Sequence, residues 1–165
     1  MNHNIKIKSA TIGDVPLILQ FIKELAEYEK LSHEVVATEE QLKETLFGER
    51  SPAEVILGYL DDRPVSFALF FHNYSTFLGR AGIYLEDLFV RPEARGQGVG
   101  KTMLAYLAQL AKDRNCGRLE WSVLDWNETA INFYKSLGAK AMDEWTVYRV
   151  TGDALNLLSL HAIFV

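Results

Sequence analysis

The sequence predicts an α/β (α+β) fold: a mixed, largely antiparallel sheet flanked by helices. Three observations carry that reading. Period-two strand patterns and 3.6-period helix patterns share one chain. Three strand patterns between Glu54 and Val90 are separated only by turns, which implies an antiparallel meander. Behind the meander, strands alternate with helices, so a purely parallel winding is excluded. The predicted order is β-α-α-β-β-β-α-β-α-β-β.

Ile5-Lys6-Ile7-Lys8 alternates and reads as a half-buried strand. A helix follows, with Asp14 as N-cap and Pro16 in the first turn, where backbone N–H groups lack helical partners. Val15, Ile18, Leu19, Ile22, Leu25 and Ala26 share its apolar face, while Gln20, Lys23, Glu24 and Glu27 share the other. Thr38 with Gln41 forms a capping-box pattern before a short helix with Leu42 and Leu46. Glu54 to Leu60, the turn Asp61-Asp62-Arg63-Pro64, and Val65 to Phe71 read as strand, turn and strand. Another strand covers Ile83 to Val90 and ends at Pro92. A glycine-rich loop then opens a helix burying Met103, Leu104, Leu107 and Ala111, which Gly117 breaks. Leu119 to Leu124 reads as a strand. Asn127 caps a helix with Ala130, Phe133, Tyr134 and Leu137 on one stripe, and Gly138 suits its end. Strands are expected at Ala139 to Met142 and Trp145 to Val150. A polar turn and an apolar tail, Leu157 to Val165, close the chain.

Composition bounds the function. The 165 residues, 48% hydrophobic and 24% charged, suit one domain spanning 1–165. A net charge of -5 and a pI of about 5.4 are a poor footprint for nucleic acid. The charge is compatible with a cationic small-molecule substrate, though solubility alone explains it. Cys116 is the only cysteine, so an intrachain disulfide or cysteine zinc cluster is excluded. His3, His33, His72 and His161 lack metal-ligand spacing. No signal-like or membrane-length apolar run is present, and the chain reads as a cytoplasmic protein with no membrane partner.

The strongest chemical signal is Arg95-Gly96-Gln97-Gly98-Val99-Gly100-Lys101-Thr102, between a strand and a helix. Glycines there let backbone N–H groups face a ligand, and the helix N-terminus adds positive potential, so the natural guest is a phosphate or pyrophosphate. Three readings compete. A Walker A loop ends in Gly100-Lys101-Thr102 but needs its leading glycine where Arg95 stands. A dinucleotide fingerprint needs a glycine where Lys101 stands. The third reading is a coenzyme A cradle.

For the third reading, Val90-Arg91-Pro92-Glu93-Ala94-Arg95-Gly96-Gln97-Gly98-Val99-Gly100 resembles the R/Q-x-x-G-x-G/A signature of the GNAT acetyltransferases. Trp126-Asn127-Glu128, Ile131 to Lys135 and Gly138-Ala139 are similar to that family's second cofactor motif. Tyr84 to Val90, Leu25-Ala26, Tyr28-Glu29 and Thr38-Glu39 most resemble its spermidine/spermine (diamine) branch. The resemblance runs along nearly the whole chain.

The resemblance implies an acetyl-CoA-dependent N-acetyltransferase acting on a small primary amine: a diamine, a polyamine or a lysine-like amino acid. Attack would be direct, in a ternary complex. It also implies roles. Backbone N–H groups of Leu88 and Val90, flanking Phe89 where the family's strand bulges, would hold the acetyl carbonyl and pantetheine arm. The loop Arg95, Gly96, Gln97, Gly98, Val99, Gly100 and Lys101 would hold the pyrophosphate, with Asn127 and Ala130 as further coenzyme contacts. Tyr134 would protonate the leaving thiolate, for which an ordinary pKa near 10 keeps it protonated. Glu86 would polarise the amine or its water. Tyr28, Glu29, Glu86, Asp87 and Glu144 would face the substrate. No metal is implied.

Several residues carry plainer readings. Tyr134 also lies on an apolar stripe, and Glu24, Glu27 and Glu29 read most simply as a solvated helix face. Glu86 and Asp87 point to opposite faces of a regular strand. The diamine branch carries further acids after the Tyr28-Glu29 pair, where this chain has Lys30, Ser32 and His33. Lys30 would repel a polycation. An acyl-CoA-binding sensor without catalysis stands as the alternative class. The apolar tail, ending in Ala162-Ile163-Phe164-Val165, suggests a homodimer.

Overall fold

The meander forms, and its strands run longer than the periodicity alone indicates. In the computed structural model, which describes residues 4–162, β1 (Ile5–Ser9), β2 (Glu54–Leu60), β3 (Arg63–Ser75), β4 (Arg80–Val90) and β5 (Leu119–Trp121) build one sheet in the order β1-β2-β3-β4-β5. The first four pair antiparallel, and β5 joins β4 in parallel. Asp61 and Asp62 both take positive φ at the β2–β3 turn. That handedness matches strand twist, which is why a two-residue hairpin closes there.

Helices cover both faces. α1 (Val15–Tyr28) and α2 (Glu39–Phe47) lie on one face, where Val15, Ile18, Phe21 and Leu42 pack with Val55, Leu57, Phe67 and Phe89. Phe21 stacks on Phe67 at 5.5 Å and meets Phe89 edge-on at 6.3 Å. α3 (Val99–Asp113) buries Val99, Met103, Leu104 and Leu107. The capping box on α2 forms as predicted: Thr38 Oγ1 accepts from Gln41 N–H at 3.2 Å, and Gln41 Oε1 accepts from Thr38 N–H at 2.9 Å. Asp14 occupies the predicted N-cap position of α1, but its carboxylate accepts from Thr11 N–H and hydroxyl instead, closing the turn before the helix.

The chain divides into two compact units, Met1–Ser122 and Val123–Val165. The second holds α4 (Glu128–Ser136) and α5 (Gly152–Ser159). Here the expected order fails. The strands expected at Ala139 to Met142 and Trp145 to Val150 do not form. An alternating pattern makes a strand only where a neighbour takes its hydrogen bonds, and this segment has no such neighbour among the described residues. α5 forms where a polar turn and the start of an apolar tail were expected. Asp153 sits in its first turn, where a negative charge favours the helix N-terminus, and good helix formers follow. Ile163, Phe164 and Val165, like His3, lie outside the described residues. β5 is also shorter than expected and stops at Trp121.

Candidate active site

One irregularity in β4 shapes the site. Leu69 faces Asp87 while Phe70 faces Leu85, so Glu86 is an extra residue without a cross-strand partner. A bulge of this kind shifts the side-chain phase. Upstream, Leu85 shares a face with Phe70. Downstream, Asp87 and Phe89 share the α1 face with Leu69 and Phe67. The bulge falls at Glu86, upstream of Leu88 and Val90, and it separates the two neighbouring acids differently from a regular strand. Glu86 is exposed, and Asp87 is half-buried.

The bulge also leads into an open edge. Pairing of β4 with β5 ends at Leu85 and Trp121. Arg91 N–H donates to Val65 O at 2.9 Å, toward β3. Backbone direction alternates along a strand, so the N–H groups of Leu88 and Val90 point the other way, to the edge that β5 has left. The Val90 carbonyl confirms that direction, because it accepts from Arg95 Nε at 2.8 Å rather than from β3.

Directly after this edge comes a short helical turn, Pro92–Ala94, and then the glycine loop. Gly96 and Gly98 take φ of 73° and 86°, a region costly for any residue with a side chain. A Cβ at Gly96 would meet nothing within 4 Å, so its outer side is open. Gly98 is the N-cap of α3, and no side chain caps that helix end. The first-turn N–H groups therefore present the positive end of a 15-residue helix to a guest. This donor set fits a pyrophosphate. Val99 and Phe89 have buried side chains, so they can contribute only through their backbones. Gln97 Nε2 donates to Glu93 O at 2.9 Å, and Lys101 is exposed in the first turn of α3.

Three carboxylates gather near the bulge. Burial raises the Asp87 pKa to about 6, and the charges of Glu86 and Glu29 push it the same way. Burial also raises that of Glu29, which caps the end of α1. An uncompensated acidic group of this kind suits a cation.

The face of α1 pointing at this region is not the solvated surface that the sequence suggested for Glu24. Glu24 accepts from Arg91 Nε and a terminal nitrogen, both at 2.8 Å, and Arg91 also donates to Pro64 O at 3.1 Å. Its guanidinium lies 4.7 Å from the Phe21 ring centre. Arg91 holds the Glu24 carboxyl below the usual carboxylate range through hydrogen bonds and its charge, against the opposing effect of burial. Sequence reasoning missed this pair because its members are 67 positions apart.

In the second unit, Asn127 caps α4, its Oδ1 accepting from Ala130 N–H at 3.2 Å. Tyr134 is half-buried in α4, with its ring 5.5 Å from that of Phe133. Glu144 is exposed in the irregular segment. Tyr28, Glu29, Glu86, Asp87, Leu88 to Val90 and Arg95 to Lys101 all belong to the first unit. Among the described residues, no group of three or more His, Cys, Asp or Glu side chains is placed to hold a metal, and no helix is long and apolar enough to cross a membrane.

Residues 20–139 match the model of the Acetyltransferase (GNAT) family. The chain belongs to that family. It is 40% identical over 166 residues to the thialysine N-epsilon-acetyltransferase of Bos taurus, covering 94% of this chain and 97% of the relative. It is 35% identical to the L-ornithine N5-acetyltransferase of Arabidopsis thaliana, covering 93% and 87%. Among solved structures, an integron cassette protein from the mobile metagenome of V. cholerae superposes with a TM-score of 0.79 at 31% identity, covering 94% of this chain and 97% of that one. The protein is thus an N-acetyltransferase of the GNAT family, whose members use acetyl-CoA as acetyl donor. The Walker A and dinucleotide readings of the loop fall with that match.

Proposed function

We propose that this protein transfers an acetyl group from acetyl-CoA to a small primary amine by direct attack in a ternary complex. One observation carries the proposal: an uncapped glycine-rich helix N-terminus follows directly on an open strand edge, and three acids surround the bulge in that strand. Acetyl-CoA supplies a thioester carbonyl open to attack by a neutral amine.

This chain's residues meet the remaining demands. An alkyl ammonium with a pKa near 10.4 is only about one part in a thousand neutral at physiological pH, a deficit of roughly 4 kcal/mol. Asp87, Glu86 and Glu29 attract the ammonium form, and Glu86 takes the proton directly or through water. The N–H groups of Leu88 and Val90 hold the acyl carbonyl and pantetheine arm, where fixed donors stabilise developing negative charge. The backbone of the loop from Arg95 to Lys101 holds the pyrophosphate. Asn127 and Ala130 contact the coenzyme through α4, and Tyr134 donates a proton to the departing thiolate. Tyr28 and Glu144 complete the amine site. Both compact units then serve one acetyltransferase domain.

The substrate is a diamine, polyamine or lysine-like amino acid. The names of the bovine and Arabidopsis relatives favour the amino-acid end of that range, and exposed Lys30 disfavours a long polycation. The second unit leaves Trp145 75% and Tyr148 91% exposed, which supports a homodimer, and the composition fits a cytoplasmic protein. Purified protein should release free thiol from acetyl-CoA with thialysine, ornithine or spermidine. Failure with every amine of a broad panel would refute the reading. Light scattering at several concentrations tests the dimer.

A further inference from the structure

Arg95 opens the glycine loop, yet its side chain is engaged with β4 and α1. Its Nε donates to the Val90 carbonyl, and its guanidinium carbon lies 4.5 Å from the Tyr28 ring centre and 5.7 Å from that of Phe89. A guanidinium at these distances is held by the ring faces. Arg91, four residues earlier, grips Phe21 and Glu24 on the same helix. Phe21, Glu24 and Tyr28 stand at helix spacings of three and four, so they form one face of α1. Two arginines from the segment after β4 therefore clasp that face at successive turns. Arg91 holds its middle, and Arg95 holds its last residue. Glu29 follows immediately, within electrostatic reach of Asp87.

We infer that Arg95 is a positioning residue: it clamps the end of α1 to β4, keeps Glu29 beside Asp87, and so sets affinity for the cationic amine rather than for the pyrophosphate. The inference rests on the acetyltransferase reading for the identity of the ligand and on the three contacts for the clamp. The loop's phosphate donors are backbone groups, which a change of the Arg95 side chain leaves in place. Lysine would keep the charge and lose the planar stack, so it should not substitute. Phenylalanine at position 28 keeps the ring face, and leucine removes it.

The test uses Arg95→Gln, Arg95→Lys, Tyr28→Leu and Tyr28→Phe in the full chain. Thialysine, ornithine and spermidine serve as amines, with calorimetric titration of coenzyme A and of each amine alongside steady-state kinetics. Arg95→Gln, Arg95→Lys and Tyr28→Leu should each raise the amine KM about tenfold, with kcat and coenzyme A affinity changed less than about twofold. Tyr28→Phe keeps the ring face and should raise the amine KM much less than Tyr28→Leu. If Arg95→Gln weakens coenzyme A binding about tenfold and spares the amine KM, Arg95 is a pyrophosphate ligand and the clamp is refuted. Unchanged amine KM in Tyr28→Leu refutes it equally. If the wild type releases no thiol with any amine, the acetyltransferase reading fails separately. The amine titrations then decide the clamp: weaker binding in Tyr28→Leu and Arg95→Lys than in Tyr28→Phe supports it, and equal binding or no wild-type binding overturns it.

Discussion

Asp87→Asn should stabilise the ligand-free protein at neutral pH while impairing its use of amine. The unfolded carboxyl titrates near 3.8 and the folded one near 6, because burial, Glu86 and Glu29 all disfavour its charge. A difference of about two pH units corresponds to about 3 kcal/mol, at roughly 1.4 kcal/mol each. The sign follows from proton binding. Between 3.8 and about 6 the folded state holds more protons than the unfolded state, so stability falls as pH rises. Below that window the carboxyl is neutral in both states and costs nothing. Above it the full penalty is present. Asparagine is never charged, so the variant should gain little near pH 3.5 and up to about 3 kcal/mol at pH 7.5. Urea unfolding at a series of pH values reads this directly as a shift in midpoint at constant slope. In the same variant the amine KM should rise, because the bound cation loses a partner. A variant less stable than wild type at pH 7.5, or a stability difference independent of pH, would refute the reasoning.

Three further outcomes are expected. Glu24→Gln breaks a partly buried bidentate pair and should cost about 2 kcal/mol, read by urea unfolding at pH 7. Because Arg91 lowers the Glu24 pKa, that contribution is complete above the unfolded value of 4.5 and is lost as pH falls through the lowered folded value, so the difference should shrink in acid. Gly98→Ala forces a side chain into φ of 86° and should cost about 1 to 2 kcal/mol, with weaker coenzyme A binding by calorimetry. Tyr134→Phe should lower kcat at least about tenfold with the amine KM little changed, since only proton donation is removed. Full turnover at a rate limited by chemistry would exclude Tyr134 as the acid.

Much of the first unit was legible in the sequence because its signals are local. Thr38 with Gln41 announced α2, Asp61-Asp62 announced the hairpin, and Gly96 to Gly100 announced the uncapped start of α3. The second unit was less legible. Trp145 to Val150 alternates like a strand, but strand formation depends on a partner that no local pattern can supply. At the candidate site, the loop could be read directly, whereas the grip of Arg91 on Glu24 and of Arg95 on Tyr28 could not. Both join positions 67 residues apart along the chain. Glu24 and Tyr28 four residues apart on a helix, facing Arg91 and Arg95 four apart in a loop, is a pattern visible only once the two segments are known to meet.

The bulge at Glu86 shows why neighbouring acids need not share a role. In a regular strand, Asp87 would lie on the face of Leu85, toward a well-packed apolar layer, where an ionised carboxylate is expensive to keep. One extra residue turns Asp87 to the α1 face, next to the end of that helix, and leaves Glu86 exposed at the irregularity. The same irregularity comes just after Leu85, the last residue of β4 that pairs with β5, so acids and unpaired N–H groups occur within five residues, Glu86 to Val90. An amine site needs negative charge and an acyl site needs donors, and the two must lie close without neutralising each other. On β4 the acids and the free donors are separated by direction. The N–H groups of Leu88 and Val90 lie in the sheet plane, along the open edge, and the Asp87 side chain stands out of it. Removing Glu86 altogether should therefore do more than delete one charge. It would join Leu85 directly to Asp87, opposite Phe70 and Leu69, so Asp87 would keep the α1 face while the strand loses its irregularity at the start of the open edge, and the deletion should lose activity far more completely than Glu86→Gln. Comparable activity in the two variants would show that the bulge itself has no part in the reaction.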